Sequence, residues 1–149
     1  MKKTNERKYT IVGNISESVS IEWNLIDIVD KPIYKTIGFY KHIAKHIKEF
    51  KNLESYENAV LNIENIILNP ELVYYNQTRE SLEYFKMLDE YVCVIVNIKR
   101  EKPFILASLF PISVQKLINK KEKSMYKKYI SNFNEEEYNV KQKEIVNQK

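Results

Sequence analysis

The sequence predicts an α+β domain in which N-terminal helices pack on a curved, mainly antiparallel four-stranded β-sheet, with a C-terminal helix and an N-terminal β-hairpin. Three observations predict it. Residues 34–50 and 55–68 carry apolar side chains at helical spacing. Four apolar, aromatic-rich runs follow between residues 72 and 109, separated by turns too short for helical crossovers. Amphipathic spacing then returns after Ser113. A length of 149 residues fits one domain with one core. The organisation expected is an N-terminal extension over 1–33, an α+β core over 34–125, and a C-terminal helix and polar tail over 126–149.

Residues 1–8 are polar. Tyr9–Val12 and Ser20–Ile26 have the β-branched and aromatic content of strands, and Gly13-Asn14 between them signals a turn, which makes the hairpin. Asp30-Lys31-Pro32 breaks the extended chain. Tyr34–Phe50, YKTIGFYKHIAKHIKEF, reads as a helix bearing both histidines, His42 and His46. With His42 at 0°, His46 falls at about 40°, beside Phe39, Ile43, Ile47 and Phe50, while Lys41, Lys45 and Lys48 lie on the far side. The pair therefore occupies the seam of the apolar face.

Ser55 reads as the N-cap of a second helix, whose stripe is Ala59, Val60, Ile63, Ile66 and Ile67 and which Asn69-Pro70 stops. Leu72–Tyr75, Leu82–Met87, Tyr91–Ile98 and Phe104–Leu109 read as a four-strand meander. Val92–Val96 is apolar on both faces and predicts the central strand. Ser113 is placed as an N-cap, with Ile112 and Leu117 as a hydrophobic staple. Tyr126, Tyr129, Ile130 and Phe133 are spaced for a further amphipathic helix.

Only Gly13 and Gly38 are glycines, so no glycine-rich phosphate loop of the dinucleotide-binding or P-loop kind can be written. The formal charge of +4 leans towards anionic partners, a lean that a lysine-rich source composition explains equally well. Cys93 is the single cysteine; within its apolar run it reads as a packed thiol in a reducing compartment. The N-terminus lacks the apolar core of a secretory signal, and no run reaches the roughly 18 apolar residues of a membrane span. The chain is expected to be cytoplasmic and free of the membrane.

The order of these elements resembles the phage-associated branch of the barnase, EndoU, colicin and RelE-like nuclease superfamily. The segments that carry the resemblance are KHIAKHIKEF, a second helix ending in ILNPELV, the Tyr/Phe-rich SLEYFKML, the apolar strand YVCVIVNI, and a last strand closing as ILASLFPIS. The resemblance implies a metal-independent endoribonuclease, a toxin or phage-associated function. Attack by the ribose 2′-hydroxyl would leave a 2′,3′-cyclic phosphate. It also implies a role for His46 as the more constant histidine, for His42 as the accessory one, and for Ser108 as the polar residue of the final strand. RNA is the implied substrate and a cognate inhibitor or antitoxin a possible protein partner; no cofactor is implied.

Histidine suits either proton-transfer role in this chemistry, because its unperturbed pKa of about 6.5 lies near neutrality. A base and an acid approach a phosphate from opposite sides, so two histidines one turn apart are not an in-line pair. His46 is assigned as general base or acid and His42 as its orienting neighbour or a phosphate donor. The same pair can equally be spacers at the edge of the core. As metal ligands the two lack a third histidine and the glutamate of the metalloprotease pattern. Lys86, Lys99, Arg100 and Lys116 compete as the phosphate-binding cation, and Tyr84 is the candidate for stacking on a base. Two alternatives stay open: a catalytically inactive RNA-binding or protein-interaction module of the same fold, and an immunity or antitoxin-like protein.

Overall fold

A computed structural model describes residues 9–122, which run β1 (Tyr9–Asn14), α1 (Glu17–Glu22), a 3-10 turn (Ile26–Ile28), β2 (Pro32–Thr36), α2 (Phe39–Ile43), a 3-10 helix (Ala44–Glu49), α3 (Leu53–Leu61), α4 (Ile63–Leu68), β3 (Leu72–Asn76), β4 (Ser81–Met87), β5 (Tyr91–Asn97), β6 (Phe104–Pro111) and α5 (Val114–Glu122). The strands form one six-stranded mixed sheet in the order β1-β2-β6-β5-β4-β3. The meander β3 to β6 is antiparallel throughout, as its short turns require. The sheet has six strands where four were expected, because β1 and β2 extend it, and β2 joins β6 in parallel.

Both central-strand faces are buried. Val92, Val94 and Val96 face the main core with Ile33, Ile43, Ile66, Val73, Leu82, Leu106 and Leu109. On the other face Cys93 packs with Leu72, Phe85, Tyr91, Ile112 and Leu117. The second cluster is where α5 lands. Ser113 Oγ accepts from Lys116 N at 3.2 Å, and Ile112 and Leu117 are both buried, which is the cap and staple arrangement expected of them.

Two N-terminal expectations need correction. Residues 20–26 are not a strand: Ser16 caps α1 by accepting from Val19 N at 3.2 Å, Glu17 lies in its first turn, and Val19 turns inward. The strand that pairs with β1 is Pro32–Thr36. In consequence the helix expected over 34–50 begins only at Phe39, after Gly38, and changes to 3-10 geometry at Ala44. The second helix is capped by Asn52, whose Oδ1 accepts from Ser55 N at 2.8 Å, and it breaks at Asn62. The amphipathic spacing from Tyr126 to Phe133 lies outside the described residues.

Gly13 marks a close approach. A Cβ there would stand 3.1 Å from Ile67 Cγ2, so its absence lets α4 seat against β1 beside the bulge between Ile11 and Gly13. Among the described residues no helix is long and apolar enough to cross a membrane.

Burial pushes the Cys93 thiol well above its usual range, and the Glu83 carboxylate adds to the shift while Lys120 opposes it. A raised folded-state pKa on an acid that is neutral when protonated means the contribution is present below the unfolded thiol pKa, about 8.5, and is lost as pH rises past it. Chemical denaturation should therefore show stability falling above about pH 8.5 more steeply in the parent than in Cys93→Ala. Thiol-reagent labelling of the native chain should proceed only at the rate of opening.

Candidate active site

Directly paired residues share a sheet face, so the register defines which side chains stand together. Ser108 pairs with Ile95, Ile95 with Glu83, and Glu83 with Tyr74, giving one row across β6, β5, β4 and β3. One row away towards β6's C-terminal end lie Leu72, Phe85, Cys93 and Phe110; on the other side lie Asn76, Ser81, Asn97 and Ile105. Register shifts where Ile95 faces Ser108 but Val96 faces Leu106, which makes Ala107 an extra residue in β6. Without that bulge Ser108 would share its face with Leu106; with it, Ser108 stands with Phe110 while Leu106 and Leu109 both enter the main core.

β2 pairs with β6 only through Ile33 with Phe104 and Tyr34 with Ile105. Past that point the edge of β6 is covered by α2 and the 3-10 helix. This brings His46 to the rim of the sheet, where its ring lies 5.6 Å from that of Phe110. His46 Nδ1 contacts Glu49 Oε2 at 2.5 Å, and its side chain is only 19% exposed. Glu49 thus fixes the tautomer and the ring plane, leaving Nε2 as the nitrogen available for chemistry.

The two histidines do not share an outlook. Two steps of α-helix followed by two of 3-10 helix carry the chain through roughly 80° rather than 40°. His42 is exposed while His46 is half-buried. His46 and Ser108 both border Phe110, since Ser108 and Phe110 alternate on one face.

Glu83 is the functional candidate that sequence reasoning missed. Its carboxylate is 5% exposed at residue level, receives Lys120 Nζ at 3.1 Å on Oε1 and Asn76 Nδ2 at 3.4 Å on Oε2. Lys120 also lies 5.7 Å over the Tyr74 ring. The available signal was the alternation in β4, where Ser81 and Glu83 share a side between the inward Leu82 and Tyr84. Leu117 and Lys120 together lay α5 over part of the face that Ser108 shares.

The other expected residues scatter. Tyr84 is 1% exposed within the main core, so it cannot offer a ring to a base, and Phe85 is fully buried on the opposite face. Lys86 pairs with Val92 on the core side and donates to Asn69 O at 2.7 Å, which ties β4 to the end of α4. Lys99 and Arg100 occupy the exposed β5–β6 loop, with Arg100 Nη2 4.0 Å from Asp27 Oδ2. Phe104 to Phe110 spans about 20 Å of strand, so neither cation shares a phosphate with His46. Lys116 is exposed in the first turn of α5.

A family model described as phage-Barnase-EndoU-ColicinE5/D-RelE like nuclease3 matches residues 10–120. The chain belongs to this family. The match takes in β1 and β2 as well as the meander, so the six-stranded sheet lies within the nuclease unit. No curated protein and no solved structure matches the chain. Among the described residues no group of three or more His, Cys, Asp or Glu side chains is placed to hold a metal ion.

Lys120 offsets a buried charge, so Lys120→Ala should cost more than an exposed ion pair is worth. About 1–2 kcal/mol is expected, because Lys120 is itself 39% exposed. Urea denaturation of Lys120→Ala, Glu83→Gln and the double variant checks this: the double variant should recover most of the loss.

Proposed function

We propose that the chain is a metal-independent endoribonuclease that cleaves by 2′-hydroxyl attack. The single observation that carries this reading is the oriented His46–Glu49 pair at the rim of a sheet face whose row holds Ser108 and Glu83, in a chain of the nuclease family. The family match supports a nuclease; the choice of RNA and of the cyclic product is what the resemblance to that superfamily implies, and the side chains here suit such chemistry.

In that chemistry a base takes the 2′-hydroxyl proton, O2′ attacks phosphorus, and an acid protonates the departing 5′-oxygen, leaving a 2′,3′-cyclic phosphate and a free 5′-hydroxyl. His46 Nε2 serves one proton transfer. The partner must approach from the far side of the phosphate, and Glu83 lies two strands from β6, about 10 Å in backbone terms, with Ile95 and Ser108 completing the row. In this assignment Lys120 and the Ser108 hydroxyl face the phosphate oxygens, and Glu49 holds the His46 ring in the orientation that presents Nε2. His42, exposed one turn earlier, contributes a donor to a neighbouring phosphate.

A second reading, a non-catalytic RNA-binding module, is favoured by one observation: α5 covers part of the Ser108 face. Activity separates the two. Purified chain incubated with total RNA in EDTA should yield fragments ending in cyclic phosphate. His46→Ala should lower the rate about 100-fold or more, and Glu49→Gln about 10-fold. RNA that stays intact from about pH 5 to 9 would overturn the catalytic reading, and salt-sensitive binding without cleavage would establish the module.

A further inference from the structure

The face that holds Ser108 does not end at β6. Ile105 pairs with Tyr34 across the parallel junction, Tyr34 pairs with Ile11, and Thr36 with Tyr9. Ile105 and Ser108 share a face because the bulge at Ala107 makes up the odd step between them. Tyr34, Tyr9 and Ile11 therefore stand on the same side of the sheet as Ser108 and Glu83. Tyr34 is one strand from β6, so its backbone position is roughly 10 Å from that of Ser108.

This part of the face is apolar and open. Tyr9 is 45% exposed and Ile11 59%, on an edge strand. The rings of Tyr9 and Tyr34 meet edge to face, 6.1 Å apart at 81°, so each fixes the plane of the other. A cation-bearing loop begins and ends beside it: Asn97 and Ile105, the strand positions nearest Tyr34 in this row, flank the exposed segment that carries Lys99, Arg100 and Lys102. Arg100 is 85% exposed at its side chain, with Nη2 4.0 Å from Asp27 Oδ2. Rigid aromatic rings beside exposed cations fit the bases and backbone of a single strand.

Resting on the nuclease reading above, we propose that Tyr34 and Tyr9 form a nucleobase-stacking subsite for single-stranded RNA, adjoining the Ser108–Glu83 row, with the β5–β6 loop holding the phosphate of the stacked nucleotide. The two N-terminal strands then supply substrate contacts that the four-strand meander lacks, and the ring expected at Tyr84 is replaced by rings one and two strands beyond β6.

The experiment measures binding of a fluorescein-labelled RNA of about seven nucleotides and of a dinucleotide to chain carrying His46→Ala, which prevents turnover. Adding Tyr34→Ala and Tyr9→Ala should weaken heptamer binding roughly 10-fold or more while the dinucleotide is unaffected, and the Tyr→Phe pair should bind as the parent does. A heptamer affinity indifferent to both rings overturns the subsite. So does an equal loss for both ligands, or a self-associated chain that Tyr9→Ala disperses, since the face would then serve a second copy. Tyr9→Trp gives a readout independent of the Ala variants: its emission should be quenched by the heptamer, and an unchanged spectrum overturns the proposal. Ring-dependent binding in a chain whose unsubstituted form cleaves nothing would remove the catalytic reading alone.

Discussion

The short parallel contact between β2 and β6 governs the rest of the molecule. Parallel pairing stops after Tyr34 with Ile105, yet β6 runs on to Pro111. The backbone edge left over must be covered, and the residues that follow β2 are the ones at hand. Ile37 and Gly38 turn the chain, and α2 and the 3-10 helix then lie along the strand. Phe39 and Ile43 enter the core, Phe50 closes the far end, and the half-buried side of the 3-10 helix is left at the rim. His46 occupies that rim because of how far β2 extends, and its tautomer is set by the glutamate one 3-10 turn later.

Burying both faces of β5 has a second consequence. A strand apolar on either side needs a layer on either side, and α5 is the only described helix on the Cys93 face. It covers the Phe85–Cys93 row closely, and Lys120 reaches Glu83 in the next row, where Tyr74 and Ile95 pack against the same cluster. Glu83 is tolerated at such depth because that lysine and Asn76 share its two oxygens. The transition from apolar to polar along this face thus falls between adjacent rows of one sheet, where a candidate site can be both rigid and partly open.

Much of this was legible in the residues. The meander followed from alternation and short turns, which leave few other pairings, and the Ser113 cap with its staple was local enough to read directly. The N-terminal elements were not, because two signals competed. Ile21, Trp23 and Ile26 argued for a strand, but the Ser16 cap and the inward turn of Val19 prevailed. Likewise the helical spacing of 39–50 was real, but extending it back to Tyr34 ignored the β-branched and aromatic pattern of Ile33 to Thr36, whose partners lie far away in sequence. Alternation placed Tyr84 and Phe85 on opposite sides without saying that both sides were covered. The bulge at Ala107 depends on cross-strand register and left no local mark, and Glu83 was visible only as a polar break in a strand.

The Lys120–Glu83 ion pair also bears on the thermodynamics of polyanion binding. A lysine already neutralised by a buried carboxylate would displace little of the cation atmosphere condensed on an incoming phosphate chain. Counterion release, the usual entropic driver when basic proteins meet nucleic acid, is therefore muted at this row despite its cation. Any association here would draw instead on surface removed from water and on fixed hydrogen-bond donors, and its enthalpy and heat capacity would carry more of the binding than its salt dependence does.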